Sequence, residues 1–316
     1  MTDKRLTGVR TPYAEMPTPL RDWVDQQLGS PVVETIPRTG GMSPAVAATV
    51  VGRDGSRAFV KAVSADINPD TPTHFRHEIT VLSALDPVPY RANILGSYDD
   101  EHWVAMMLED VDGDHPDWDD REQIDAVFAA VTAQTAELTP HPPSLVIARV
   151  SEVMDKHQAL LADPPVELFS RLPPWVQSSY ANLMDLVRAG GPPLAAGTLC
   201  HFDVRHDNLL VRRTDGQVVT VDWGMSRHGP WWGDVFVLAL EWAELDFFDE
   251  LLERAGLTPD DQRDATRLLA SMGCYLVLTG GLPAPPALPH LPQFRAELGD
   301  RCLLGVHRRL DLASGD

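Results

Sequence analysis

The sequence predicts an α+β chain of two lobes, a β-rich N-terminal lobe over residues 1–110 and a mostly helical C-terminal lobe over residues 111–316. Two β-branched, alternating runs flank the turn signal "RDGS" near residue 55, and two further strand-like runs follow before residue 110. Beyond an acidic stretch, "DGDHPDWDDREQID", the apolar residues recur at helical spacing almost to the C-terminus. At 44% hydrophobic and 23% charged, the chain has enough apolar material for a sizeable core.

The elements follow in order. "PTPLRDWVDQQLG" reads as a short amphipathic helix, with Pro19 in its first turn and Gly29 at its end. "VVETIPRTGGMSPAVAATVVGRDGSRAFVKAV" reads as strand, Gly-rich turn, strand, hairpin turn and strand. Phe75, Ile79, Leu82 and Leu85 are spaced as one face of a helix, and "ILGSYDD" and "EHWVAMMLEDV" read as two more strands. The hinge is expected at Leu108–Asp112. Helices are predicted in "AVFAAVTAQTAELT", "SEVMDKHQALLAD", "PPWVQSSYANLMDLVRAG", "GDVFVLALEWAELDFFDELLERAG", "PDDQRDATRLLASMGCYLVLTGG" and "QFRAELGDRCLLGVHRRLDLA". Between the third and fourth of these helices lies "TLCHFDVRHDNLLVRRTDGQVVTVDWG", read as a loop, a short strand, a turn at Thr214–Gly216 and a second strand. Pro283–Pro292 is a proline-rich connector.

Charge narrows the function classes. The formal net charge is -20, which argues against a nucleic-acid partner and against adhesion to an anionic membrane. It suits a cationic ligand, and it also simply serves solubility. Cys200, Cys274 and Cys302 are far apart and form no Cys-x-x-Cys pair, so neither a disulfide framework nor a cysteine-rich zinc site is expected. The N-terminus has no apolar run after its charges, and "VFVLALEWAELDFF" is too short and too acidic to span a bilayer. A cytoplasmic location is expected.

Only Lys4, Lys61 and Lys156 among the 26 basic residues are lysines. Lys61 sits within the apolar run "AFVKAV", where an ammonium is costly unless it finds a partner or snorkels to water. A lysine retained in a chain that prefers arginine suggests a site wanting a compact point charge. Glu78, in "HFRHEITVLSAL", falls on a polar helix position beside the apolar stripe, either solvated or reaching inward to Lys61. "CHFDVRHDNLLV" contains His-x-Asp-x-x-x-x-Asn as His201, Asp203 and Asn208, and Asp222 ends the β-branched run "TVDWG". An amide oxygen and a carboxylate suit magnesium, which takes few protein ligands and completes its shell with water and phosphate.

The ordered set of Lys61, Glu78, "HFDVRHDN", "VDW" and "GPWWGD" resembles the aminoglycoside phosphotransferase family, similar in fold to protein kinases and choline kinases. The resemblance implies one bilobal kinase-like domain and ATP-dependent phosphoryl transfer to a hydroxyl of a small molecule. It implies Asp203 as the catalytic aspartate, Asn208 and Asp222 as magnesium ligands, and Lys61 on the nucleotide phosphates with Glu78 as its partner. His201 would shape the catalytic loop and Asp234 brace it from the next helix. Gly40, Gly41 and Ser43, in the "GG-x-S" turn usual in the family, would offer N–H groups to phosphate. Glu109–Val111 would read the adenine edge through the backbone. Two departures stand out. Phe202 occupies a position where glycine is common, and Val204–His206 replaces a frequent Leu-His-Pro. Arg205 and His206 then touch substrate or product phosphate, or else scaffold the loop.

Other readings differ in chemistry. A metal hydrolase would use His201, Asp203, His206 and Asp222 as ligands, leaving Lys61 unexplained. A kinase-like binding module without turnover would have little reason to keep every chemical position filled. The resemblance implies an antibiotic of the aminoglycoside type as the leading acceptor, with a sugar, amino alcohol or nucleoside as the alternative. Glu241, Glu244 or Asp246 would face a polycation, or else form a solvated helix face.

Overall fold

The computed structural model describes residues 9–38, 40–188 and 197–314, with side chains to residue 310. In chain order the elements are α1 (Thr18–Leu28), β1 (Val32–Pro37), β2 (Val46–Gly52), β3 (Arg57–Ser64), α2 (Thr71–Ser83), β4 (Ile94–Asp99), β5 (Trp103–Leu108), β6 (Gly113–Asp114) and α3 (Arg121–Glu137). Then come α4 (Val150–Ala162), α5 (Val166–Phe169), α6 (Pro174–Ser178), α7 (Tyr180–Arg188), β7 (Thr198–Cys200), β8 (Leu209–Arg212), β9 (Val218–Thr220) and β10 (Arg227–Gly229). The chain closes with α8 (Gly233–Ala239), α9 (Asp246–Arg254), α10 (Pro259–Gly280) and α11 (Leu291–Ser314). It divides into two compact units. The first gathers the residues up to Ala130 with His206–Ser226 and Pro285–His290; the second holds Val131–Arg205, Arg227–Ala284 and the chain from Leu291. These units are discontinuous in sequence, whereas the expected 1–110 and 111–316 division follows chain order.

The first unit is built on an antiparallel sheet in the order β1-β2-β3-β5-β4. The two-residue period of β3 sorts its side chains. Ala58, Val60 and Ala62 enter a core with Leu20 and Val24 of α1, and Met107 of β5. The alternate residues Phe59 and Lys61 therefore lie on the opposite face, where both line a cavity. α1 stops at Gly29, whose φ of 76° is a left-handed cap that a side chain would strain. α2 starts where the Asn68 side-chain oxygen accepts from the N–H and hydroxyl of Thr71. Its buried stripe includes Phe75, Glu78, Val81 and Leu82. Glu78, expected beside the stripe, is on it and only 1% exposed. A second small sheet, β6-β8-β9, completes the unit.

The second unit is helical around the pair α10 and α11, with β7 paired antiparallel to β10. Two single helices expected from the sequence are each divided. α6 and α7 separate at Ser179. The run from Gly233 breaks over 240–245 into α8 and α9. In one straight helix Phe236 and Phe248 would be about 18 Å apart at 1.5 Å per residue. The break brings their rings to 5.9 Å in an edge-on contact, so aromatic burial outweighs helical continuity.

Candidate functional site

In the first unit, nine of the expected site residues belong to one neighbourhood. Lys61 Nζ lies 2.6 Å from Glu78 Oε2 and 3.0 Å from Asp222 Oδ1. The ammonium also stands 5.1 Å from the centre of the Phe75 ring. Burial would lower the Lys61 pKa, but the carboxylates of Asp222 and Glu78 overcome it and hold the pKa above the ordinary lysine value. Burial pushes Glu78 up, with Lys61 pulling the other way. Glu78 Oε1 additionally accepts from Trp223 N–H at 3.3 Å. A charge this deep is tolerable because its partners are fixed on two separate elements, α2 and the stretch after β9.

A cavity of about 300 Å³ opens above Lys61. Gly40, Gly41, Ser43, Glu109, Val111, Asn208 and Asp222 line it. Ala45, Ala47, Ala92, Leu108, Leu210 and Val221 supply apolar walls, as a planar ring requires. Another hollow, of 420 Å³ and bounded by Tyr13, Arg21, Asp25 and Glu34 among others, has no such constellation.

Asp222 is held at φ 66°, a left-handed conformation that aspartate tolerates better than most residues. Asn208 is buried, and its carbonyl accepts from Val221 N–H at 3.0 Å, tying the two stretches together. Asn208 and Asp222 put hard oxygen donors on one cavity with Asp207 beside them. That donor chemistry fits magnesium. Among the described residues no group of three or more His, Cys, Asp or Glu is placed to hold a metal ion. The imidazoles of the metal-hydrolase reading are otherwise engaged. His206 Nε2 meets Pro116 O at 2.9 Å and packs between His115 and Trp118.

The side chains of Glu109 and Asp110, at the expected hinge, have more to do than the sequence suggests. Asp110 accepts from Thr49 Oγ1 at 2.6 Å and from Arg57 Nε at 2.9 Å, with Arg38 at 3.4 Å. Its carboxylate ties β2 and β3 to the end of β5. Glu109 Oε2 accepts from both N–H groups of Asn93, backbone and amide.

The other four expected residues belong to the second unit. Asp234, fully buried near the start of α8, accepts from His201 N–H at 3.0 Å and from Phe202 N–H at 2.8 Å. Burial raises its pKa, with His201 and the two N–H donors opposing. These bonds hold Phe202 at φ 59°, the left-handed conformation that explains glycine's frequency at that position in similar sequences. His201 Nδ1 accepts from Asp203 N–H at 3.3 Å. Arg205 Nε lies 3.1 Å from Asp203 Oδ1, with its guanidinium 5.3 Å from the Phe294 ring. Gly233 admits the Cys200 sulfur, which would stand 2.9 Å from a Cβ there.

Residues 34–269 match the model of the phosphotransferase enzyme family. The chain belongs to that family. Membership makes it a small-molecule O-phosphotransferase. Its fold is protein-kinase-like and α+β, as expected. Among solved structures it is similar to a thermostable mutant of aminoglycoside phosphotransferase APH(4)-Ia in ternary complex with ADP and hygromycin B, at 15% identity and TM-score 0.57, covering 92% of this chain and 98% of that one. Spectinomycin phosphotransferase APH(9)-Ia, in complex with ADP and its antibiotic, gives 11% identity and TM-score 0.59 over 91% of this chain and 94% of that one. The choline kinase LicA of Streptococcus pneumoniae gives 13% and 0.58 over 92% and 100%. No curated protein sequence matches the chain. No helix among the described residues is long and apolar enough to cross a membrane.

Several residues of the neighbourhood escaped the sequence reading. Arg10, His115 and Asp207 line the cavity. Arg10 carried no signal because arginine is this chain's ordinary cation. Asp110 was hidden by reading the hinge as backbone alone.

Proposed function

We propose that this phosphotransferase moves the γ-phosphoryl group of ATP to a hydroxyl of a small molecule, with an aminoglycoside-type antibiotic as the leading acceptor. The observation that carries the reading is the Lys61 ammonium bridging Glu78 and Asp222 at 2.6 and 3.0 Å in a cavity walled by a Gly-rich turn and Asn208. Phosphoryl transfer asks for positioning and charge neutralisation rather than covalent chemistry, and these residue types supply both.

Lys61 takes the nucleotide phosphates, held in place by Glu78. The turn of Gly40, Gly41 and Ser43 covers them, and Glu109–Val111 take the adenine edge against the apolar walls. Asn208 and Asp222 are the proposed magnesium ligands, and the ion when bound neutralises charge on the phosphate oxygens. Asp203 accepts or orients the acceptor proton. His201 and Asp234 fix the backbone that carries it, and Arg205 holds its carboxylate. The three buried free cysteines suit the reducing cytoplasm.

One observation favours a less cationic acceptor such as a sugar, amino alcohol or nucleoside. Asp246 is paired with Arg308 at 2.9 Å, and Asp249 with Arg309 at 2.9 Å. Asp246, one of the acids offered to a polycation, is thus partly neutralised by this chain's own arginines. The two antibiotic-bound structures and the choline kinase span both classes.

The test is a panel of aminoglycosides, other hydroxylated antibiotics, sugars, amino alcohols and nucleosides incubated with ATP and magnesium, read by mass spectrometry. A product heavier by one phosphoryl group supports the reading. ATP left intact with every acceptor, or turnover that needs zinc and ignores ATP, overturns it.

A further inference from the structure

Arg10 belongs to a strap ahead of α1 that is pinned on both sides. Val9 N–H donates to Ala287 O at 3.2 Å and Thr11 N–H to Ala45 O at 3.4 Å. The segment beneath Val9 is itself held, since Asn68 Nδ2 donates to Pro286 O at 2.9 Å. From this strap the guanidinium reaches the Gly-rich turn. Nη1 donates to Ser43 O at 2.6 Å, and Nη2 to Gly41 O at 3.3 Å and to Gly40 O. Gly41 has φ 80°, and a Cβ there would stand 3.1 Å from Nη2.

These contacts change what the turn offers an anion. Three carbonyl oxygens gathered at a cavity wall would repel phosphate. Arg10 covers all three and lines the same cavity as Lys61 and Asp222. The two cations also differ in their surroundings. Lys61 faces two carboxylates within 3.0 Å. The hydrogen bonds of Arg10 go to neutral carbonyls, with the carboxylates of Asp222 and Asp207 acting on it only through space, and its buried Nε has no acceptor among the described residues. A buried N–H without a partner costs stability until something accepts from it. Guanidinium is suited to phosphate oxygens in both charge and geometry.

We propose that Arg10 is a phosphate-binding residue of the nucleotide site, so that the Gly-rich turn meets the triphosphate largely through this arginine rather than through its own N–H groups alone. This rests on the ATP reading given above.

The experiment measures binding of ATP, ADP and adenosine to the full chain with magnesium, by calorimetry or displacement of a fluorescent ATP analogue. Arg10→Gln keeps amide donors for the carbonyls and removes the charge; Arg10→Lys keeps the charge and removes the fork. We expect Arg10→Gln to weaken ATP and ADP about tenfold or more while adenosine binding is kept, and Arg10→Lys to recover most of the loss. Thermal melting of each variant checks that it is folded, and Arg10→Lys decides if Arg10→Gln is not. Arg10→Gln binding ATP like the wild type overturns the proposal. So does an equal loss for ATP and adenosine in both variants, which would make Arg10 a brace for the turn. Wild-type protein that binds neither ATP nor ADP overturns the nucleotide reading itself, and this proposal with it.

Discussion

At the scale of residues, the proposed roles separate cleanly. Asp203→Asn keeps the size of the side chain but removes the carboxylate. Turnover should fall by about two orders of magnitude or more, with ATP affinity and melting temperature near wild type; full activity would remove Asp203 from the chemistry. Lys61→Ala instead leaves Glu78 and Asp222 facing each other without their shared cation. ATP affinity should drop, and stability should fall by about 3 kcal/mol, the usual cost of breaking a buried pair from one side, read in urea melts. Restoring part of that stability with Glu78→Gln in the same chain would confirm that the loss is electrostatic. Away from the site, His157 hydrogen-bonds Ser271 at 3.1 Å and stacks on Tyr275, and burial lowers its pKa to about 4. A base with a lowered folded pKa binds fewer protons folded than unfolded. Its stability contribution is therefore present above the unfolded pKa of about 6.5 and is lost as pH falls towards 4, by roughly 3 kcal/mol over the window. His157→Phe keeps a ring against Tyr275 and should flatten the pH dependence of stability between those limits. An unchanged slope would show that imidazole to be accessible to protons. Lys61 was legible in the sequence because lysine is scarce here. Its second partner Asp222, 161 positions away, was legible as a carboxylate ending a strand-like run and as an expected magnesium ligand, but not as a partner of Lys61.

At the scale of elements, the strands of the five-stranded sheet were legible because alternation and a turn signal coincide in each hairpin. β7 and β10 were not: each is three residues long, too short for a period of two to show. The division of α8 from α9 was hidden for the opposite reason. Helical spacing continues through 240–245, and only the contact of Phe236 with Phe248 across the break shows why the chain turns. Two substitutions test these elements. Asp234→Asn replaces one of two acceptor oxygens, bonded to His201 and Phe202 N–H, with a donor. It should cost about 2 kcal/mol and release the strained backbone before Asp203, lowering turnover as well; unaltered stability would mean that α8 does not brace the loop. Gly280→Ala should also destabilise, against helix propensity, which favours alanine by about 0.5–1 kcal/mol. A Cβ at Gly280 would stand 2.8 Å from Ala296 N and 2.9 Å from Pro292 O, both backbone atoms that cannot move without shifting α11. A loss of about 1–3 kcal/mol is expected, and a gain in melting temperature would show that α10 and α11 are less closely packed.

At the scale of the whole molecule, the excess of acidic residues is the one property that composition gives with certainty, and its meaning depends on the acceptor. A net charge of -20 attracts a polycation from a distance even if no single carboxylate touches it. It does nothing comparable for a neutral sugar or nucleoside. The pairing of Asp246 and Asp249 with Arg308 and Arg309 removes some local acidity without changing that long-range field. The two acceptor classes therefore separate by salt. Between about 0.01 and 0.15 M ionic strength the screening length falls from roughly 30 to 8 Å, so only short-range attraction survives at the upper end. With an aminoglycoside acceptor, KM should rise about threefold or more across that range at fixed saturating ATP and magnesium, with kcat little changed, because screening acts on encounter and binding. With a neutral hydroxylated acceptor, KM should stay flat. A flat profile for a polycationic acceptor would mean that the acidic surface is there for solubility, and that specificity comes from contacts at Asp203 and its surroundings instead.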